Sequence, residues 1–297
     1  MRITQKVLFG NFMRDINRNR NELARTQSDL SSGKSVRVPS QDPTSFQRSR
    51  IIEENIRKEE QYQSNISGGL RQGRMAQEAL DETIDRLIDV KRILTQGANG
   101  SSGESVRTNM AEEISGIRDS LVYTLNQSYG DRFLFSGTNS SVKPLDPDMP
   151  GEGGVGNNSN NKAPTVSVAD GVKLEMSVTA TELRDTEAGD LFEVLASIEQ
   201  ALRDDDDEAL NGLLDGIDSS INHVTTVASR LGNNINRMEF VFEQYESTKI
   251  AQRSDVSALV DTDYAQSFSE LQRIQVAFES AMAVHSTMFN NSLLNYI

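Results

Sequence analysis

The chain has 297 residues, of which 36% are hydrophobic and 6% aromatic, with no tryptophan, no cysteine and a net charge of −14. That acidic balance disfavours nucleic acid and anionic membrane surfaces as partners, because both select for lysine and arginine, and the lack of cysteine excludes disulfides, thiol catalysis and cysteine-based zinc sites. So few aromatic residues suit long helices sharing narrow seams better than a thick globular core, and no stretch approaches the roughly 18 apolar residues of a membrane span or reads as a cleavable signal.

Near the start, Ile3, Val7, Phe9, Phe12, Met13 and Ile16 cluster on one side of a predicted helix, and Leu23 and Leu30 follow Ile16 at spacings of seven. This is a heptad seam. Its alternate positions are polar, Asn19 and Thr26, and the run "NRNRNE" from Asn17 to Glu22 interrupts it. Burying so few side chains does not offset the conformational entropy of ordering the whole segment, so the helix is predicted to be marginal alone. The stretch "LSSGKSVRVPSQDP" (Leu30 to Pro43) follows. Gly33-Lys34-Ser35 has the last three letters of a phosphate-binding loop, but Ser28 stands where that motif needs glycine, and Val38 is held extended by Pro39. A connector between helices explains more of these residues: Gly33 as a left-handed stop, Lys34 at the negative helix end, Asp42 as N-cap and Pro43 in the first turn.

A second helix is predicted from Pro43 to about Gln96, with Ile52, Ile56, Ile66, Leu70, Leu80, Ile84, Leu87 and Leu94 in a strict alternation of four and three. That period implies a left-handed coiled coil, with a bend or a close helix approach at Gly68, Gly69 and Gly73. After a loop from Gly97 to Ser105, a third helix carries Val106, Met110, Ile114, Ile117, Leu121 and Leu125 and is expected to end near Tyr129-Gly130. The short connection makes the pair an antiparallel hairpin.

Composition then changes to a small β-rich insertion. In "APTVSVADGVKLEMSV" the alternation favours a three-residue loop Ala169-Asp170-Gly171, pairing Val168 with Val172 and Val166 with Leu174, and placing Gly171 left-handed in a bulge. Helix resumes at Asp190. The run Asp204 to Asp207 lacks the glycine and glutamate of a calcium loop and reads as helix capping. From Leu210 through Leu214, Ile217, Ile221, Val224, Ala228, Leu231, Ile235, Met238, Phe242 and Tyr245 runs the longest seam. "SALVDTD" (Ser257 to Asp263) breaks it. A last helix carries Phe268, Leu271, Phe278, Met282 and Phe289 along one stripe, with Ile274, Ala277, Ala281, Val284 and Met288 beside it, too wide an apolar face to leave in water.

The fold expected is mainly α: long antiparallel coiled-coil-like helices forming a rod, N- and C-terminal helices paired, and a small β-rich inserted domain. Residues 1–43 and 256–297 form a terminal helical domain that is disordered in the monomer, 44–132 and 188–255 the rod, and 133–187 the insertion. No catalytic motif is present. His223 and His285 lie on separate helices without partner ligands, acid pairs such as Glu53-Glu54, Glu59-Glu60 and Glu112-Glu113 solvate exposed faces, and no enzyme, metal or cofactor is expected.

Several segments together resemble the bacterial flagellin superfamily: "LSSGKSVRVPSQDP" after a helix, "ANGSSGESVR", "GDRFLFSGT" (Gly130 to Thr138), "ASRLGNNINRME" (Ala228 to Glu239) and "LVDTDYAQSFSELQRIQVAFESAM". The proline-bearing "PSQDP", where flagellin usually has "AKDD", and "RFLFSGT" favour the junction proteins of that superfamily. The resemblance implies an axial structural protein, exported unfolded through the flagellar type III apparatus with a dedicated export chaperone. It implies assembly as a ring of copies at the end of the hook, between hook-associated protein 1 and flagellin, outside the cell, without nucleic acid or membrane insertion. The assembly interface would be Ile3, Val7, Phe9, Phe12, Ile16, Leu23, Leu30, Gly33, Lys34, Val36, Arg37, Val38, Phe268, Leu271, Ile274, Phe278, Met282 and Phe289. In the connector, Val36 and Val38 would face a neighbour and Lys34 and Arg37 its acidic surface. The alternatives are a flagellin of the bulk filament and an intracellular coiled-coil scaffold.

Overall fold

The computed structural model describes residues 2–99, 103–149 and 151–294, without the side chains of residues 2–6, 8, 152 and 287–294. In chain order the elements are α1 (Arg2–Ser32), α2 (Pro43–Ala98), α3 (Glu104–Leu125), β1 (Ser128–Tyr129), β2 (Arg132–Phe133), β3 (Leu145–Asp146), β4 (Gly156–Asn157), β5 (Thr165–Ala169), β6 (Val172–Glu175), α4 (Ala180–Arg184), β7 (Asp185–Thr186), β8 (Gly189–Asp190), α5 (Leu191–Arg203), α6 (Asp207–Val260) and α7 (Tyr264–Leu294). They divide into two compact units, one comprising the residues up to Arg57 and from Thr248 on, the other Lys58–Ser247. Helices α2 and α6 contribute to both.

In the central unit the heptad patterns become the core. Ile66, Leu70, Leu80, Leu87 and Leu94 of α2 are buried in one cluster with Leu210, Ile217, Val224, Leu231, Ile235 and Met238 of α6. Met110, Ile114, Ile117, Leu121 and Leu125 of α3 join it, with Leu195, Ile198 and Leu202 of α5. Helix α2 is continuous through its glycines. They mark a close approach: a β-carbon on Gly69 would lie 3.1 Å from Val166 and 3.3 Å from Met238, and one on Gly73 would lie 3.2 Å from Ile235 and 3.3 Å from the Met176 carbonyl. Only hydrogen fits there without displacement of neighbours.

Helix α3 stops at Leu125, earlier than periodicity predicts. Asn126 is the reason. Its side chain accepts from the Leu145 amide at 3.0 Å and donates to the Leu145 carbonyl at 2.9 Å, tying the helix end to β3. The insertion is a set of two-stranded antiparallel ribbons, β1–β2, β3–β4, β5–β6 and β7–β8. In β5–β6, Val166 pairs with Leu174 as the alternation requires, but Ala169 pairs with Val172, so the loop is the two residues Asp170-Gly171. Val168 is the extra, bulged residue, which lets Val166, Val168 and Leu174 all be buried while Val172 is exposed. The apolar faces are reconciled by a bulge inside the strand instead of at the turn. Gly171 is left-handed, with φ +70°. The short helix α4 was not legible as a period; its start is capped by Thr179, whose hydroxyl accepts from the Glu182 amide at 3.1 Å.

All four aspartates of the acidic run are occupied locally. Asp204 accepts from Gln200, Asp206 caps α6 by accepting from the amides of Glu208 and Ala209, and Asp205 and Asp207 both bind Arg107. The Arg107 side chain is 3% exposed. Burial alone would lower the pKa of its guanidinium, but the two carboxylates outweigh burial and raise it. Among the described residues, no group of three or more histidine, cysteine or acidic side chains is arranged to hold a metal, and no helix is long and apolar enough to cross a membrane.

Candidate assembly surface

The terminal unit is built on α1 and α7, which pack along one another. At one end Phe12 stacks on His285 at 4.2 Å, with Phe9 at 6.0 Å; at the other, Lys34 forms an antiparallel bridge with Asp261. The helices therefore run antiparallel. The α1 side of the seam is Phe12, Ile16, Asn19, Leu23, Thr26 and Leu30, all half-buried. These positions alternate four and three. The α7 side is Leu271, Ile274, Phe278, Ala281 and His285, of which only Ile274 is fully buried, at 5% exposure. His285 is thus a seam residue. His223 lies elsewhere, with Nε2 2.8 Å from the Glu182 carbonyl oxygen.

A single partner helix leaves much apolar surface uncovered. Val7, Phe9, Met13, Phe268, Val276, Met282 and Val284 are 40–63% exposed. They flank the seam or lie outside it. Of the sequence-expected interface, Phe12, Ile16, Leu23, Leu30, Leu271, Ile274 and Phe278 are thus drawn into the α1–α7 seam, while Val7, Phe9, Phe268 and Met282 are exposed, Phe9 at the seam's edge beside His285. Ile3 and Phe289 lie outside the described side chains. Val276 was missed by sequence reasoning because it falls off both apolar stripes of α7.

The connector between α1 and α2 is held within its own unit. Gly33 has φ +70°, and a β-carbon on it would come within 2.7 Å of the Tyr264 hydroxyl oxygen. The Ser35 amide donates to the Val260 carbonyl at 2.8 Å, and the Thr262 amide donates to the Gly33 carbonyl at 2.9 Å. The Ser35 hydroxyl adds bonds of 3.2 Å to the carbonyls of Val260 and Asp261. Arg37, expected to reach a neighbour's acidic surface, instead binds Asp29 at 2.9 Å and Ser28 of its own chain. Val36 is half-buried, while Lys34 and Val38 are exposed. Asp42 caps α2 as expected, accepting from the amides of Thr44 at 3.0 Å and Ser45 at 3.1 Å, and Pro43 is the first helical residue.

Comparison with known proteins places this architecture. The profile of the bacterial flagellin N-terminal helical region matches residues 3–140, and that of the bacterial flagellin C-terminal helical region matches residues 214–297. Flagellar hook-associated protein 3 of Escherichia coli (strain K12) is 22% identical over 312 residues, spanning 99% of this chain and 98% of that protein. Flagellin B of Vibrio anguillarum is 27% identical over 168 residues, spanning 50% of this chain and 45% of that protein. In fold, the chain is similar to the crystal structure of the flagellar junction protein FlgL from Legionella pneumophila, with a TM-score of 0.61 at 14% identity, covering 72% of this chain and 100% of that one. These relatives are named as flagellar structural proteins and not for any enzymatic activity. With the two profiles spanning both helical ends, the chain belongs to the bacterial flagellin family.

Proposed function

We propose that the protein is a structural adaptor of the flagellum that joins the hook to the flagellin filament. The observation that supports this reading over a bulk flagellin is extent: similarity to a hook-associated protein 3 runs through 99% of the chain, whereas that to flagellin B covers 50%. The exposed side chains on α1 and α7 supply the means. In water exposed apolar side chains of this size are unfavourable, so they are buried when neighbours supply the missing helices. The neighbours are further copies in a ring, hook-associated protein 1 on one side and flagellin on the other. The protein is exported unfolded with a chaperone and acts outside the cell. Lack of cysteine suits that route, since no thiol has to be kept reduced or paired.

Deleting the gene tests this function. The expected result is intact hooks, no filaments and flagellin released into the medium, restored by the wild-type gene and not by a Phe268→Asp/Met282→Asp variant. Normal filaments on the deletion strain would overturn it. The flagellin reading makes the opposite forecast for purified protein, which would then extend filament seeds into long polymers.

A further inference from the structure

A glycine inside a helix weakens it. At Gly69 and Gly73 the reason lies within the chain, since both meet other side chains or backbone at contact distance. Gly68 has no such reason, because a β-carbon there would meet nothing within 4 Å. We propose that the missing contact is intermolecular: the groove floored by Gly68 receives Phe240 of an adjacent copy, so that the central units of neighbouring copies join side by side.

Gly68 and Gly69 floor a groove of about 890 Å³ between α2 and the ribbons β1–β2 and β5–β6, room enough for an aromatic side chain. Val166 and Met176 give it an apolar wall. The ring of Tyr129 forms its lip, held by a hydrogen bond of 3.1 Å from Arg71 Nε to the tyrosine hydroxyl. Phe240 is the counterpart, 67% exposed on α6 and unused by the chain's own core. Groove and ring lie at one level of the helix pair: across the α2–α6 seam, a β-carbon on Gly69 would be 3.3 Å from the Met238 sulfur. Each also points away from that seam. Gly68 follows buried Ile66 by two positions and Phe240 follows buried Met238 by two, a rotation of about 200° around the helix. Knob and hollow therefore sit on opposite sides of the pair at the same level, and a copy placed alongside brings one to the other. Because the two surfaces differ, the contact is head-to-tail and repeats from copy to copy.

The charges fit as well. Asp131 and Arg132 stand exposed at the rim of the groove, and Arg237 and Glu243 stand exposed about one turn to either side of Phe240. None of the four forms an ion pair with another described residue. Docking sets Arg237 against Asp131 and Glu243 against Arg132, which favours a second copy as the occupant. The contact rests on the proposed function for its setting, a ring of copies.

The test uses the deletion strain, complemented with the full-length chain carrying a photoreactive benzoylphenylalanine in place of Phe240. Irradiating its intact flagella should join copy to copy, with peptide mass spectrometry placing the adduct within residues 64–72 or 129–132. Arg237→Glu should lower the adduct yield and the number of filaments by about tenfold, the effect of a like-charge contact, and adding Asp131→Arg should restore both. Gly68→Leu fills the groove floor and should cause a similar loss, although the isolated variant should melt no lower than wild type because that position is open. Adducts to flagellin or hook-associated protein 1, adducts between two copies of α6, or none in flagella that assemble would overturn the proposal. So would full yield from Gly68→Leu, or a charge swap that does not rescue. Those results leave the gene-deletion phenotype untouched, whereas normal filaments on the uncomplemented deletion strain overturn the junction function itself.

Discussion

Gly68 and Gly73 sit five positions apart on one helix and answer to different constraints. Gly73 faces Ile235 and the Met176 carbonyl at contact distance, whereas nothing lies within 4 Å of a β-carbon on Gly68. Gly73→Leu should therefore destabilise the central unit by about 1–3 kcal/mol through overpacking. Gly68→Ala should stabilise it by about 1 kcal/mol through helix propensity. Chemical denaturation of both variants checks the pair, and equal signs would refute the close-approach account. Asp42 supplies the pH dependence at this scale. Hydrogen bonds from the Ser45 hydroxyl and amide, with a smaller contribution from the Thr44 amide, hold its carboxyl below the ordinary value of 3.8. A depressed folded-state value means the cap contributes fully above the unfolded value and is lost as pH falls through the folded one. Asp42→Asn keeps an acceptor without the charge. Its unfolding temperature should lie below that of wild type near neutrality and converge on it as pH falls below about 4; an unchanged pH profile would show that Asp42 does not act through its charge.

Elements were legible wherever a period ran long enough. The seams of α2 and α6 could be assigned residue by residue because heptads repeat many times, and Phe12, Ile16, Asn19, Leu23, Thr26 and Leu30 form the α1 seam the spacing predicts. Where a single local bond decides, the pattern fails. Asn126 ends α3 through Leu145, a contact no periodicity encodes, and the Val168 bulge satisfies the same alternation that a longer turn would have satisfied. The hydrogen bonds from the connector to Val260 and Thr262 were invisible for a third reason: the partners are separated by most of the chain, so Gly33 could be read only as a helix stop and "SALVDTD" only as a break. The polar seam positions make a forecast of their own. Asn19 and Thr26 weaken the α1–α7 pairing, as polar residues in a heptad core do. An Asn19→Leu/Thr26→Ile variant should gain about 1–3 kcal/mol in that pairing, seen as a higher helical signal by circular dichroism in the isolated chain. No gain would mean that α1 does not pair with α7 along this seam.

At the scale of the whole molecule, the division of labour follows from burial. The central unit encloses a continuous apolar cluster running from Ile66 to Met238, while the terminal unit ends in two helices with Phe9, Phe268, Val276, Met282 and Val284 exposed. The first has a core of its own; the second leaves apolar side chains uncovered, which the proposed assembly would bury. That contrast was foreseeable from the wide stripe of α7, but the identity of the neighbours was not, because exposed apolar side chains specify burial and not a partner. Family resemblance, carried by segments such as "GDRFLFSGT" and "ASRLGNNINRME", narrows the partners to the flagellum. The most direct measurement is electron microscopy of intact flagella labelled with an antibody to residues 140–180, within the inserted ribbons. Label confined to the boundary between hook and filament is the result this account predicts; label along the filament, or none on the flagellum, would contradict it.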